Sequence, residues 1–209
     1  MMLAKKLYCL ARQFSFKVPR SSSPDGTLNL HLGCGRINAP GFINIDMAPM
    51  RHVHLVQDVS NLRRFRSESV DLIYASHVLE HFSHLRTSTI LREWIRVLKP
   101  GGVLRLAVPD LDVLLEIYLL NQRRISSVQG MLYGGQDYPG NAHYAGFNFE
   151  SLASMLEEAG LCKPSRWGPF RDLEPYSLDH SCHEIEVGSS AILVSLNVEA
   201  RKPDGVVKA

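Results

Sequence analysis

The chain has 209 residues, 45% of them hydrophobic and 21% charged, which fits one ordinary globular domain and excludes a disordered or fibrous protein. No apolar run reaches the roughly 18–20 residues of a membrane span. The formal net charge is +2, but residues 1–20 hold five basic groups and no acid, so the remaining body is slightly acidic, the reverse of a nucleic-acid-binding surface.

Residues 3–14 place Leu3, Leu7, Leu10 and Phe14 at helical spacing, with Lys5, Lys6 and Arg12 elsewhere around the wheel. These charges also make the start unlike a secretory signal. Ser21 to Gly26 reads as a linker, because it combines turn formers with no apolar content. The division expected is therefore a basic amphipathic segment over 1–25 and a single domain over 26–209. Short apolar runs follow at Leu28–Leu32, Phe42–Ile45, Val53–Val56, Val70–Ala75 and Val103–Val108, each bounded by Gly, Asp, Asn or Pro. They read as strands buried on both faces, as in a parallel sheet. A helix is predicted over 85–98, stopped by Lys99-Pro100-Gly101-Gly102. A second follows Pro109-Asp110, and a third runs from Phe149 to Ala159 with Asn148 as its cap. Two more strands are expected near Lys163–Trp167 and Ala191–Val198. Between the second and third helices, residues 130–148 hold five glycines and three tyrosines without a period, which reads as a binding loop. The alternation of strand and helix predicts an α/β sandwich.

The chemistry gathers at strand ends. The first strand runs into Gly33-Cys34-Gly35, where glycine lets a backbone approach a ligand. The second ends in Asp46, placed to accept hydrogen bonds from a ribose diol, and the third ends at Asp58. Each feature alone is common; their joint order is not. In that order LNLHLGCG, FINID, VQDVSNL, SVDLIYASHVLEHF and LREWIRVLKPGGVLRLAVPD resemble the motifs of class I S-adenosylmethionine-dependent methyltransferases. The likeness is to the small methyltransferase-type-11-like group linked with polysaccharide biosynthesis, and AHYAGFNFESLASMLEEAGL with the last strand extends it more loosely. The resemblance implies a Rossmann-like three-layer sandwich on a seven-stranded, mostly parallel sheet whose last strand is antiparallel. It also implies S-adenosyl-L-methionine as cofactor, with Gly33, Cys34 and Gly35 lining its methionine and ribose part. Asp46 and Met47 would lie at the ribose, Asp58 and Val59 at the adenine, and Ser76 and His77 beside the sulfonium.

Asn38 stands three residues after Gly35, where a dehydrogenase fingerprint wants glycine, so a nicotinamide enzyme is disfavoured. Six residues separate Gly35 from Phe42, and six separate Asp46 from Val53. A parallel crossover normally needs a dozen or more, so both lack room for a helix and one sheet face should be poorly covered. Segment 3–14 is expected to pack there; a partner subunit in a homodimer could take its place, and an anionic membrane surface is the rival site for the segment.

His77-Val78-Leu79-Glu80-His81 matches the spacing H-x-x-E-H of some zinc peptidases. It follows a buried strand and lacks a clear third-ligand motif, and Cys9, Cys34, Cys162 and Cys182 show no paired spacing. No metal is therefore assigned, and a reducing, cytoplasmic setting is expected. His77, His143 in the aperiodic loop and Asp110 at the tip of the fifth strand are the candidate catalytic groups, the histidines as bases and Asp110 to orient an acceptor or merely cap a helix. The acceptor expected is a small molecule or a glycan hydroxyl, with no nucleic acid. The competing readings are a catalytically silent module that binds the same cofactor and, further off, a zinc-dependent hydrolase.

Overall fold

The structure, a computed structural model, describes residues 23–138, 140–168 and 179–205. Segment 3–14, with its expected packing or membrane contact, lies outside them.

In chain order the elements are β1 (Asn29–Leu32), β2 (Phe42–Asp46), β3 (Leu55–Val56), β4 (Val70–Ser76), α1 (Thr87–Val97), β5 (Leu98–Pro109), α2 (Leu111–Leu120), α3 (Gln129–Tyr133), α4 (Phe149–Glu158), β6 (Cys162–Arg166), β7 (Glu184–Val187), β8 (Ser190–Leu193) and β9 (Ser195–Arg201). Seven strands form one sheet in the order β3-β2-β1-β4-β5-β9-β6. The first five run parallel and β9 is antiparallel to both its neighbours. The mostly parallel sheet with an antiparallel last strand is the one expected, and neither crossover among β1, β2 and β3 holds a helix.

The two sheet faces differ because strand residues alternate sides. Leu30, Leu32, Ile43, Ile45, Ile73, Leu104 and Leu106 point to one face and are fully buried there. They pack with Leu91 and Trp94 of α1 and with Leu152 and Leu156 of α4. The indole N–H of Trp94 donates to the Val59 carbonyl at 2.8 Å, so this large ring is buried with its polar atom satisfied. The other face carries His31, Phe42, Asn44 and Tyr74. Short loops cover it: Ala39 and Trp167 pack on Phe42 and Tyr74, while Asn44 bonds Asn38 at 2.9 Å and the His54 ring at 2.9 Å. These four residues are buried, so the missing helices leave this face better covered than the crossover lengths suggest.

Two boundaries depart from the sequence reading. Lys99-Pro100-Gly101-Gly102 follows the end of α1 at Val97 as expected, but it is also absorbed into β5, which starts at Leu98 rather than Val103; Val70 pairs Leu98 and Leu72 already pairs Val103. Gly102 permits this bulge, since a Cβ there would sit 2.8 Å from the Lys99 carbonyl oxygen. The strand expected over 191–198 breaks at Val194. Its first half, β8, pairs instead with β7 in a hairpin turned at Gly188, whose φ is +62°. That hairpin packs Ile185, Val187 and Ile192 against Leu114 and Ile117 of α2.

Candidate functional site

Parallel strands place their carboxyl ends along one edge, and ligands of open α/β sheets bind outside that edge. At the tip of β1 the chain turns through Gly33 and Gly35, with φ of +60° and +52°. A Cβ on Gly33 would lie 2.5 Å from Val78 Cγ2, whereas one on Gly35 would meet nothing within 4 Å among the described residues. Gly33 is thus a close approach inside the protein, and Gly35 borders open space. Asp46, the last residue of β2, accepts from the Gly35 N–H at 2.8 Å and from the Ala48 N–H at 2.7 Å. The glycine turn and the carboxylate of β2 therefore form one constellation.

His52 joins it, donating Nε2–H to the Gly35 carbonyl at 2.8 Å. Nothing in the local spelling of the sequence singled His52 out; the short β2–β3 crossover is what brings it back to the turn. Cys34 sits between the two glycines, but its thiol packs with Val53 and Val56, and its N–H donates to the Ile45 carbonyl. Burial pushes that thiol up to about 12, so it is an inert core group. Met47 is exposed.

Next along the edge, the Asp46 carbonyl accepts from Gln57 N–H, which ties the tip of β3 to β2. Asp58 is exposed and holds the Ser60 N–H at 2.8 Å. With Gln57, Asn61, Arg63 and Arg64 it lines an open cavity of about 250 Å³. Val59 instead points its side chain into the core.

Across the sheet, β4 ends at Ser76 and the chain enters the left-handed region at His77, φ +51°. A short 3-10 turn over Leu79–His81 follows. His77 places Nδ1 3.1 Å from Glu80 Oε1 and Nε2 2.7 Å from Ser195 Oγ. Glu80 is completely buried. Burial by itself pushes its carboxyl up, but the hydrogen bond from His77 and the charges of His77 and His81 outweigh it and hold the group low, as a carboxylate. The Glu80 carbonyl accepts from Tyr144 N–H at 2.7 Å, which docks the aperiodic loop on the tip of β4.

That loop brings His143 against His81, with ring centres 4.8 Å apart and edge to face. Nδ1–H of His143 donates to the Met131 carbonyl at 2.8 Å, and burial holds its imidazole below the usual histidine range. Asp110 lies elsewhere. It caps α2 through the Asp112 N–H at 3.2 Å, and its other oxygen takes Arg166 Nη1 at 3.2 Å. Both its oxygens thus serve the packing of α2 and β6. The structure joins Gly35 to Asp46, sets Asp58 beyond the end of β3 in a cavity with Gln57, Asn61, Arg63 and Arg64, and gathers His77, Glu80, His81 and His143 after β4 and Ser76.

By fold, the chain is a Rossmann-like α/β sandwich on a seven-stranded, mostly parallel sheet. Residues 40–106 match the family model described as Methyltransferase domain. Among curated proteins no sequence relative matches. The 1,6-didemethyltoxoflavin-N1-methyltransferase of Burkholderia thailandensis, solved with 1,6-didemethyltoxoflavin and S-adenosylhomocysteine bound, is 17% identical. That match covers 96% of this chain and 79% of that one with a TM-score of 0.52. A SAM dependent methyltransferase from Archaeoglobus fulgidus is 15% identical, with 96% and 94% covered and a TM-score of 0.52. A methyltransferase solved with the Trm112 activator of Haloferax volcanii is 15% identical, with 95% and 89% covered and a TM-score of 0.51.

The residues present fit an adenosyl cofactor. The space beside Gly35 is open where a side chain would otherwise stand. The Asp46 carboxylate, acceptor to one N–H per oxygen, keeps lone pairs for a diol.

Proposed function

We propose that the chain is an S-adenosylmethionine-dependent methyltransferase that acts on a hydroxyl of a small molecule or a glycan. The observation that carries this reading is the 2.8 Å bond between Gly35 N–H and Asp46 Oδ2, which holds an open turn and a diol-binding carboxylate against each other. When bound, the cofactor supplies a methyl group on a sulfonium, already a good electrophile. The protein's own task is then alignment and exclusion of water. Gly33 and Gly35 keep the backbone low beneath the ligand, and Asp46 grips the ribose with Met47 alongside. Asp58 faces the cavity in which an adenine amino group would find it. Ser76 and His77 border the reactive end.

The hydroxyl class is supported by the imidazoles at the tip of β4, because an alcohol must lose a proton during transfer while a thioether or carbanion need not. His143, kept neutral by burial, is the group placed to take it, whereas both ring nitrogens of His77 are engaged, by Glu80 and Ser195. Isothermal titration with S-adenosylmethionine and S-adenosylhomocysteine tests the reading. Wild-type protein should bind both, and Asp46→Ala should weaken each by about 10- to 100-fold, as expected for losing a charged hydrogen-bond partner worth ~1.5–3 kcal/mol. Folded wild-type protein that binds neither compound would defeat it. A labelled-methyl assay across sugar, phenol and amine acceptors then tests the hydroxyl class, which fails if only amines are labelled.

A further inference from the structure

The cluster at the tip of β4 has a property the methyltransferase reading does not use. Glu80 Oε2 has no hydrogen-bond partner among the described residues, and Oε1 meets only His77 at 3.1 Å. An ionised carboxylate this deeply buried requires a cation or several donors. Two further ligand-type side chains face it. His81 and His143 each direct Nδ1 at a backbone carbonyl, of Ala142 at 3.1 Å and of Met131 at 2.8 Å. A carbonyl oxygen only accepts, so Nδ1 carries the proton in both rings and the Nε2 lone pairs remain for another partner. A backbone carbonyl on the distal nitrogen is also how metal-bound histidines are oriented.

One ligand atom from each of Glu80, His81 and His143 lies within 4.8 Å of the others. Bonds of about 2.0–2.2 Å to one ion would draw such atoms roughly 3–3.5 Å apart, a closure within reach of small side-chain rotations. We infer that Glu80, His81 and His143 form a binding site for a divalent transition-metal ion of the zinc class. Two imidazoles and one carboxylate suit such an ion better than magnesium or calcium, which take mainly oxygen ligands. Three protein ligands also leave a coordination position for an outside oxygen, as open rather than purely structural sites do. The ion would pin the loop around His143 to the exit of β4. On the methyltransferase reading, on which this last consequence alone rests, a metal-bound His143 is no longer a base.

The third ligand, 62 residues beyond His81 in the sequence, is why H-x-x-E-H by itself gave no metal assignment. Full-length protein stripped with chelator and titrated with Zn²⁺ by calorimetry tests the site, together with the visible absorption of the Co²⁺-loaded form. Wild type should take up one equivalent and show the Co²⁺ band. His143→Ala and Glu80→Gln should each weaken binding at least tenfold and lose the band, with the circular dichroism of His143→Ala unchanged. Folded wild-type protein with no stoichiometric uptake, or uptake that both variants retain in full, overturns the inference. Titrating the same samples with S-adenosylmethionine keeps the two readings apart: cofactor binding without metal sinks this site alone, and metal without cofactor sinks the other.

Discussion

Gly33 has little freedom to change. Its φ of +60° is a conformation that costs an L-residue about 1–2 kcal/mol, and the 2.5 Å approach to Val78 Cγ2 adds a steric cost. Gly33→Ala should therefore destabilise the protein by about 2–5 kcal/mol, the overpacking share being about 1–3 kcal/mol. It should also weaken cofactor binding, because relief of the clash moves the turn that Asp46 holds. The clash is separable from the backbone strain. In Gly33→Ala with Val78→Ala the loss measured by urea denaturation should be smaller than the sum of the single losses; strict additivity would mean that Val78 is not what limits this position. Gly35, with nothing near its absent Cβ, should accept Ala with strain but without collision. The pair Gly33-x-Gly35 looked equivalent in the sequence. The unequal roles follow from Val78, 45 residues away in the chain.

Among the elements, α4 shows how far local pattern reaches. The Asn148 side chain accepts from Ser151 N–H at 3.0 Å, and the Ser151 hydroxyl accepts from Asn148 N–H at 3.2 Å, a reciprocal cap that fixes where the helix begins. This start turns Leu152 and Leu156 onto the sheet. Asn148→Ala should lower stability by about 1 kcal/mol, read as a fall in the urea midpoint at constant slope; no change would mean that packing alone sets the helix start. Caps, helical stripes and strand runs are local, and they were legible for β1, β2, β4, α1, α2 and α4. What escaped was non-local. The bulge at Lys99–Gly102 exists because β5 must keep register with β4 on one side and β9 on the other. The break at Val194 exists because β7 offers β8 a nearer partner than the main sheet does. On the site, Gly33, Gly35, Asp46 and Asp58 could be read from their order along the strands, while His52 and the pairing of His143 with Glu80 depend on how loops return. Asp110 shows the converse: a polar residue at a strand tip whose carboxylate is consumed by a helix cap and Arg166.

Taken over the whole molecule, the sheet is asymmetric: helices and aliphatic side chains cover one face, whereas polar groups and short loops occupy much of the other. Arg105 and Glu199 pair there at 2.8 Å across β5 and β9, and Tyr74 donates its hydroxyl to Asp179. His31 lies on β1, an interior strand, edge-on and tilted between Phe42 and Tyr74. Burial, aided by the charge of His52 and opposed by a bond to Asn44, lowers its imidazole to about 3. The folded protein therefore holds His31 neutral at pH values where the unfolded chain, with an ordinary histidine near 6.5, takes up a proton. The unfolded state binds more protons throughout that window, so stability must fall as pH drops from about 6.5 towards 3, by up to about 1.4 kcal/mol per pH unit, and be flat with respect to His31 above it. His143 and His180, also lowered by burial, push the same way, so the wild-type slope alone does not isolate His31. His31→Gln does, since it keeps a polar side chain of similar size and removes the titration. Between pH 7 and pH 5 the urea-derived unfolding free energy of wild type should fall by about 2 kcal/mol more than that of the variant. Equal falls would mean that His31 is protonated in the folded sheet, and that this face is wetter than its packing indicates.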